Sequence, residues 1–211
     1  MRTRASRGSN AAFKPLKPHF LTMQPAIFLD RDGVINENRA NYVRTWEQVV
    51  FLPGVFDALR ELAGSGYVVV VVTNQSAIGR GIMTAEALDD IHDRITHRVT
   101  QEGGRVDAIY ACPHRPDGGC DCRKPQPGML LQAAADLDID LASSYLVGDA
   151  VTDMEAALAV GVLPVMVRTG RGVAQLADLE AKGLDGVMVT EDLGEAVAWI
   201  LDDRPTLAGC T

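Results

Sequence analysis

The chain has 211 residues, 47% of them apolar, which suits one domain of ordinary size with a real core and excludes a disordered or fibrous chain. Its net charge of −8 argues against a general nucleic-acid binder, and no apolar run is longer than Tyr67–Val72, which is far too short to span a bilayer. The expectation is a soluble, cytoplasmic monomer with no nucleic-acid or membrane partner.

Residues 1–24 hold five basic residues (Arg2, Arg4, Arg7, Lys14 and Lys17) and no acidic one. They lack an apolar stretch of secretory length, so a flexible N-terminal extension is expected, followed by a single domain over 25–211. The same composition also fits an organelle transit peptide, though without a clear amphipathic pattern. The rest of the chain carries 15 basic residues (20 less these five) against 28 acidic ones, a net of −13. An acidic body that handles phosphate must concentrate its positive charge locally.

Ala26–Leu29 is a short apolar strand closing on Asp30. Pro53–Leu62 has helical spacing and stops at Gly64-Ser65-Gly66. Tyr67–Thr73 is β-branched and continuously apolar, as a strand buried on both faces is. Thr84–Thr100 reads as a long helix, with Thr84 and Glu86 at its start and Gly103-Gly104 past its end. A strand at Ala108–Ala111, a helix at Pro127–Leu137, a strand at Ser144–Gly148 and an alanine-rich helix at Thr152–Val160 follow. Strands at Leu163–Val167 and Gly186–Val189 complete the set, with helices near Ala174–Lys182 and Leu193–Leu201. This alternation predicts a three-layer α/β/α, Rossmann-like parallel sheet with helices on both faces. Ligands bind such sheets beyond the carboxyl ends of the strands, so the residues closing each strand carry the functional question.

The first strand closes on Asp30-Arg31-Asp32-Gly33, two carboxylates flanking one residue. Asp30 is a candidate nucleophile and Asp32 its acid/base partner, although Asp and Gly also favour plain turns. The second closes on Thr73-Asn74-Gln75, whose hydroxyl and amides suit phosphoryl oxygens or a helix cap. Arg123-Lys124 offers a fork and a point charge for phosphate, or a solvated face. Asp149 ends the Ser144–Gly148 strand with Asp153 four residues on, a source of hard oxygen ligands for Mg²⁺ or, for Asp153, a favourable charge at a helix start.

Residues 112–122 place Cys112, His114, Cys120 and Cys122 within eleven positions. Three thiolates and an imidazole form a closed tetrahedral set with no evident open position, so a structural Zn²⁺ is expected. Zinc there would pin a Gly- and Pro-rich loop and hold Arg123 and Lys124 in place.

In their order along the chain, Asp30/Asp32, Thr73, Lys124 and Asp149 resemble the four motifs of the haloacid dehalogenase-like phosphatases, over about residues 25–170. That resemblance implies Asp30 as nucleophile, Asp32 as proton shuttle, Thr73 and Lys124 as neutralisers of phosphoryl charge, and catalytic Mg²⁺ at Asp30, Asp32 and Asp149. The zinc loop is similar to that of the subfamily of heptose-bisphosphate and histidinol phosphatases. Phe28–Asn36, Val70–Ser76, Arg80-Gly81 and Cys120–Leu130 resemble its heptose-specific branch more closely. The resemblance implies a small phosphorylated sugar as substrate, with no large cap domain. It assigns substrate contacts to Asn38, Arg39, Asn41, Tyr42, Asn74, Gln75, Ser76 and Arg123.

Three features depart from the heptose pattern. Five residues separate His114 from Cys120, Ala77-Ile78-Gly79 replaces the usual Gly-Ile-Ala, and Ala150 stands where a basic residue usually follows the Mg²⁺ aspartate. Arg80 and Arg115 are candidates to replace that charge. His92 and His97, five apart on the long helix, do not share a face as a metal pair would, and are expected to be ordinary surface or core histidines.

Overall fold

A computed structural model describes residues 23–202, Asp185 excepted. The N-terminal extension and Cys210 lie outside the described residues. Six strands are present: β1 (Ala26–Leu29), β2 (Val68–Asn74), β3 (Ala108–Cys112), β4 (Tyr145–Gly148), β5 (Leu163–Val167) and β6 (Met188–Thr190). They form one parallel sheet in the order β3-β2-β1-β4-β5-β6. The six helices are α1 (Val55–Ala63), α2 (Ala85–Gln101), α3 (Gly128–Leu137), α4 (Val151–Leu158), α5 (Gly172–Ala181) and α6 (Leu193–Asp202). Every strand and helix read from the sequence is found, with ends displaced by a residue or two. Short 3₁₀ turns at Trp46–Gln48 and Leu141–Ser143 are the elements that the periodicity did not announce, being too brief to carry one.

Strand alternation sorts the side chains into two layers. Ile27, Leu29, Val69 and Val71 point to a core shared with the apolar faces of α1, α2 and α6. Ala26, Phe28, Val70 and Val72 point the other way, onto α3 and α4. Both faces of β1 and β2 are therefore dry, which is why these strands read as unbroken apolar runs. A fully buried side chain of this size contributes about 1.5–3 kcal/mol through burial.

The strand order reverses between β1 and β4, so the chain leaves these neighbours in opposite directions and opens a crevice at their carboxyl ends. The Asp30 N–H donates to the Val147 carbonyl at 2.9 Å, extending the β1–β4 pairing by one step. That bond sets Asp30 beside the end of β4, where Asp149 follows. Among the described residues no helix is long and apolar enough to cross a membrane.

Candidate active site

The carboxylates of Asp30, Asp149 and Asp153 converge, with a ligand atom from each lying within 4.8 Å of the others, and all three residues are buried. Burial pushes the Asp30 carboxyl up to about 7, against the pull of Lys124, with Asp153, Asp149 and Asp32 adding to the rise. Such a concentration of negative charge calls for a cation.

Lys124 supplies one. It is 3% exposed, and its ammonium lies 3.1 Å from Asp30 Oδ1 and 2.6 Å from Asp153 Oδ1, while donating to the Val72 carbonyl at 2.7 Å. Burial opposes the charge on Lys124, but Asp153 and Asp30 outweigh it, and the side chain stays cationic. Asn74 clamps its backbone. The Asn74 side-chain amide donates to the Lys124 carbonyl at 3.0 Å, and the Lys124 N–H donates to Asn74 Oδ1 at 3.1 Å. Asp153 also accepts from the Ala150 N–H at 3.1 Å, capping α4, so it serves both as a helix cap and as a partner of Lys124.

Asp32 departs from the expected Mg²⁺ trio. Its side chain is drawn into a separate network and is not among the converging carboxylates. Arg31 Nη2 donates to both of its oxygens, at 2.9 and 2.8 Å, joined by Asn36 Nδ2 at 2.8 Å and Gln75 Nε2 at 2.9 Å. Burial alone would raise its carboxyl, but Arg31, Asn36 and Gln75 reverse that effect and hold it below the usual range. Asp153 takes the third place near Asp30 and Asp149.

Arg31 is only 1% exposed, and its remaining Nη1 lies 3.1 Å from His92 Nε2. A guanidinium only donates, so Nε2 accepts and His92 is neutral. This agrees with its pKa, pushed down to about 3 by burial and by the Arg31 charge. The chain His92–Arg31–Asp32 runs from α2 to the site. His92→Leu should leave a buried Arg31 donor unpartnered, costing about 1–3 kcal/mol of stability and lowering kcat. His92→Gln, which restores an acceptor, should recover much of both losses. Thermal melts and steady-state kinetics on the pair test this, and equal melting of His92→Leu and the parent would refute it.

These groups open onto a cavity of about 710 Å³. Of the residues expected to touch substrate, Asn38, Arg39, Tyr42, Asn74, Ser76 and Arg123 line it, as do Asp30, Asp32, Thr73 and Lys124. Gln75 lies behind the wall, donating to Thr73 Oγ1 and to Asp32. Asn41 is exposed and does not line the cavity. Arg80 and Arg115, the candidates to replace the charge missing at Ala150, both line the cavity. Arg171, which the sequence reading passed over, lines it too and makes a 3.0 Å ion pair with Asp149. Its position just past the β5 tip is the signal that could have found it. Arg39, Arg80, Arg115, Arg123 and Arg171 thus make a cationic rim around an acidic floor.

Beside the cavity, Cys112, His114, Cys120 and Cys122 bring one donor atom each within 4.8 Å of the others. The sulfur–sulfur distances of 3.1, 3.5 and 3.6 Å are far beyond a disulfide and slightly under the edge of a Zn–thiolate tetrahedron, about 3.8 Å for bonds of about 2.3 Å. The donor set and its spacing fit a closed zinc site. The loop also anchors Arg123, whose Nη1 donates to the His114 carbonyl at 3.4 Å.

A HAD-hydrolase-like family model matches residues 121–196. The D-glycero-beta-D-manno-heptose-1,7-bisphosphate 7-phosphatase of Pseudomonas aeruginosa is 42% identical over 176 residues, which is 83% of this chain and 97% of that one. The enzyme of the same name from Yersinia pestis is 48% identical over 157 residues, 71% of this chain and 83% of that one. A crystal structure of the D,D-heptose 1,7-bisphosphate phosphatase of Bordetella bronchiseptica, complexed with magnesium and phosphate, superposes with a TM-score of 0.78 at 40% identity, covering 84% of this chain and 98% of that one. With a relative this similar matched along almost its full length, the chain belongs to the haloacid dehalogenase-like phosphatases, in the family of the heptose 1,7-bisphosphate 7-phosphatases.

Proposed function

We propose that the chain is a Mg²⁺-dependent phosphatase that removes the 7-phosphate of D-glycero-D-manno-heptose 1,7-bisphosphate by way of an aspartyl-phosphate on Asp30. The observation that carries the chemistry is the meeting of Asp30, Asp149, Asp153 and Lys124 beyond the ends of β1 and β4, with Asp30, Asp153 and Lys124 lining an arginine-rimmed cavity. The substrate assignment draws on the names of the relatives and on that rim, which carries more positive charge than one scissile phosphate needs.

In the first step an Asp30 carboxylate oxygen bonds to phosphorus in line as the bond from phosphorus to the sugar oxygen breaks. Asp32 gives its proton to the departing oxygen. Arg31, Asn36 and Gln75 favour the Asp32 carboxylate, so Asp32 must first take up a proton from solvent, and once protonated it surrenders that proton readily. In the second step Asp32 takes a proton from water, the water oxygen bonds to phosphorus, and the Asp30–phosphorus bond breaks to free phosphate. Thr73 and Lys124 offset charge on the transferring group throughout.

Asp30, Asp149 and Asp153 would hold the Mg²⁺, their buried carboxylates being the hard donor set it favours. When bound, the ion supplies further stabilisation of charge on the phosphoryl oxygens. Cys112, His114, Cys120 and Cys122 would hold a structural Zn²⁺ that fixes the loop before Arg123 and Lys124. The reading goes with a monomer acting in the cytoplasm on a freely diffusing sugar phosphate.

Histidinol phosphate is the second reading, favoured by the five-residue spacing between His114 and Cys120. Phosphate release with Mg²⁺ from the heptose bisphosphate, histidinol phosphate and common sugar monophosphates, run side by side, separates them. The bisphosphate should lead in kcat/KM by about tenfold or more, the worth of one extra charge-assisted contact to the second phosphate. Faster turnover of histidinol phosphate would transfer the assignment to the second reading.

A further inference from the structure

Asp149 is fully buried, and its two carboxylate oxygens have different surroundings. Oδ2 accepts the backbone N–H of Arg171 at 2.8 Å and the Asn38 side-chain amide at 3.4 Å. It is also walled in. A Cβ on Gly33 would come within 2.1 Å of it, and one on Gly170 within 2.3 Å. Both glycines have positive φ, +96° and +60°, so the backbone there is bent to close around this atom. The Arg171 guanidinium spans both oxygens, donating from Nη2 to Oδ1 at 3.0 Å and, more loosely, from Nε to Oδ2 at 3.4 Å.

A divalent cation arriving at Asp30 and Asp149 therefore finds Oδ1 the oxygen not crowded by the glycine backbone, and that oxygen already holds a guanidinium. A Mg²⁺ bonded there at about 2.1 Å would stand no more than about 5 Å from Nη2, two like charges at close range beside a buried carboxylate. The Arg171 side chain is free to give way. It is 55% exposed and lines the cavity. Its backbone stays fixed through its own N–H on Oδ2, and the neighbouring Thr169 hydroxyl donates to the Gly33 carbonyl at 2.6 Å. Only a change of rotamer is needed, and Ala150 offers no side-chain charge to take over its place beside the cavity.

We propose that Arg171 is the resident counter-cation of the acidic trio, displaced from Asp149 Oδ1 when a divalent cation binds, and that the freed guanidinium then binds a phosphate oxygen of the substrate. The displacement follows from the geometry alone, whereas the phosphate contact rests on the phosphatase reading. Metal binding and phosphate binding are thereby coupled through one side chain. The metal removes the internal ion pair that otherwise keeps Arg171 from the anion.

The test uses zinc-loaded protein freed of Mg²⁺ by gel filtration and titrated with Mn²⁺, the free ion being read by electron paramagnetic resonance. Arg171→Gln is compared with the parent and with Arg80→Gln, which removes the same charge from the same rim. Arg171→Gln should bind Mn²⁺ about fivefold tighter, and Arg80→Gln should stay within about twofold of the parent. Equal affinity in Arg171→Gln and the parent would overturn the displacement, as would an equal gain in Arg80→Gln, since distance charge alone would then suffice. Inorganic phosphate, titrated against the Mn²⁺-loaded proteins by calorimetry, should bind Arg171→Gln about fivefold more weakly than the parent. Unchanged phosphate affinity beside tighter Mn²⁺ would overturn the second half alone. The Mn²⁺ titration needs no turnover, so it decides the displacement even if every candidate substrate fails.

Discussion

Asp30→Asn is expected to lower turnover by about 10⁴-fold or more, with no loss of melting temperature in metal-free protein. An amide is no nucleophile toward phosphorus, so the covalent route closes. The local structure keeps its bonds, because the Asn oxygen still accepts the Arg31 N–H that Asp30 Oδ1 accepts at 2.8 Å. The substitution also removes one of three buried carboxylates that crowd one another, Asp30 being pushed up to about 7 by burial first and by its acidic neighbours second. A site arranged for chemistry is electrostatically strained, and neutralising one member relieves it. Phosphate release and calorimetric melting measure the two sides. Activity within tenfold of the parent would remove Asp30 as the nucleophile.

Lys124→Met should cost both stability and activity. The ammonium is the direct partner of Asp30 and Asp153, all three being buried, and its loss leaves two carboxylates without their cation. Breaking a buried pair from one side costs about 3–5 kcal/mol, or about 6–20 °C in melting temperature for a chain of this size. Turnover should fall by about 10²–10³-fold, the usual effect of removing one fixed donor from the transferring group. Adding Asp153→Asn should restore much of the stability and none of the activity, because it relieves the buried charge without replacing the ammonium. A single variant that melts like the parent would show that the pairing contributes nothing.

The elements were legible because the sequence states them redundantly. The run Val68–Val72 can only be a strand dry on both faces, and Thr84 with Gly103 brackets α2 at both ends. Asp30, Thr73 and Asp149 were legible for a related reason, since a polar residue closing an apolar strand has little to do but face the crevice, whereas Lys124, well past the end of β3, was legible only through its place in the motif order. What the sequence hid were the partnerships. Arg31 lies between two aspartates and reads as a spacer, yet it is among the most deeply buried side chains and binds Asp32 through both oxygens. His92 joins it from 61 positions away, a pairing that depends on how α2 docks and on nothing local. Asp32 was expected at the metal through the family resemblance. Asn36, from the same turn, and Gln75, just past β2, draw its carboxylate elsewhere. Arg171 lies four residues past the end of β5, and its importance comes from a loop that folds back over Asp149.

The arginine rim has a kinetic consequence. The chain is strongly acidic, so an anionic metabolite approaching most of its surface is repelled, while field lines entering the cavity converge on Arg39, Arg80, Arg115, Arg123 and Arg171. Capture is thereby restricted to one aperture, and a more highly charged anion is drawn in more strongly than a singly phosphorylated one. Once hydrolysis has removed one phosphate, the organic product carries less charge and is held less firmly by the same arginines. The rim therefore sorts substrate from product by charge count before any sugar hydroxyl is read, and added salt, by shortening the reach of that field, erodes this discrimination first.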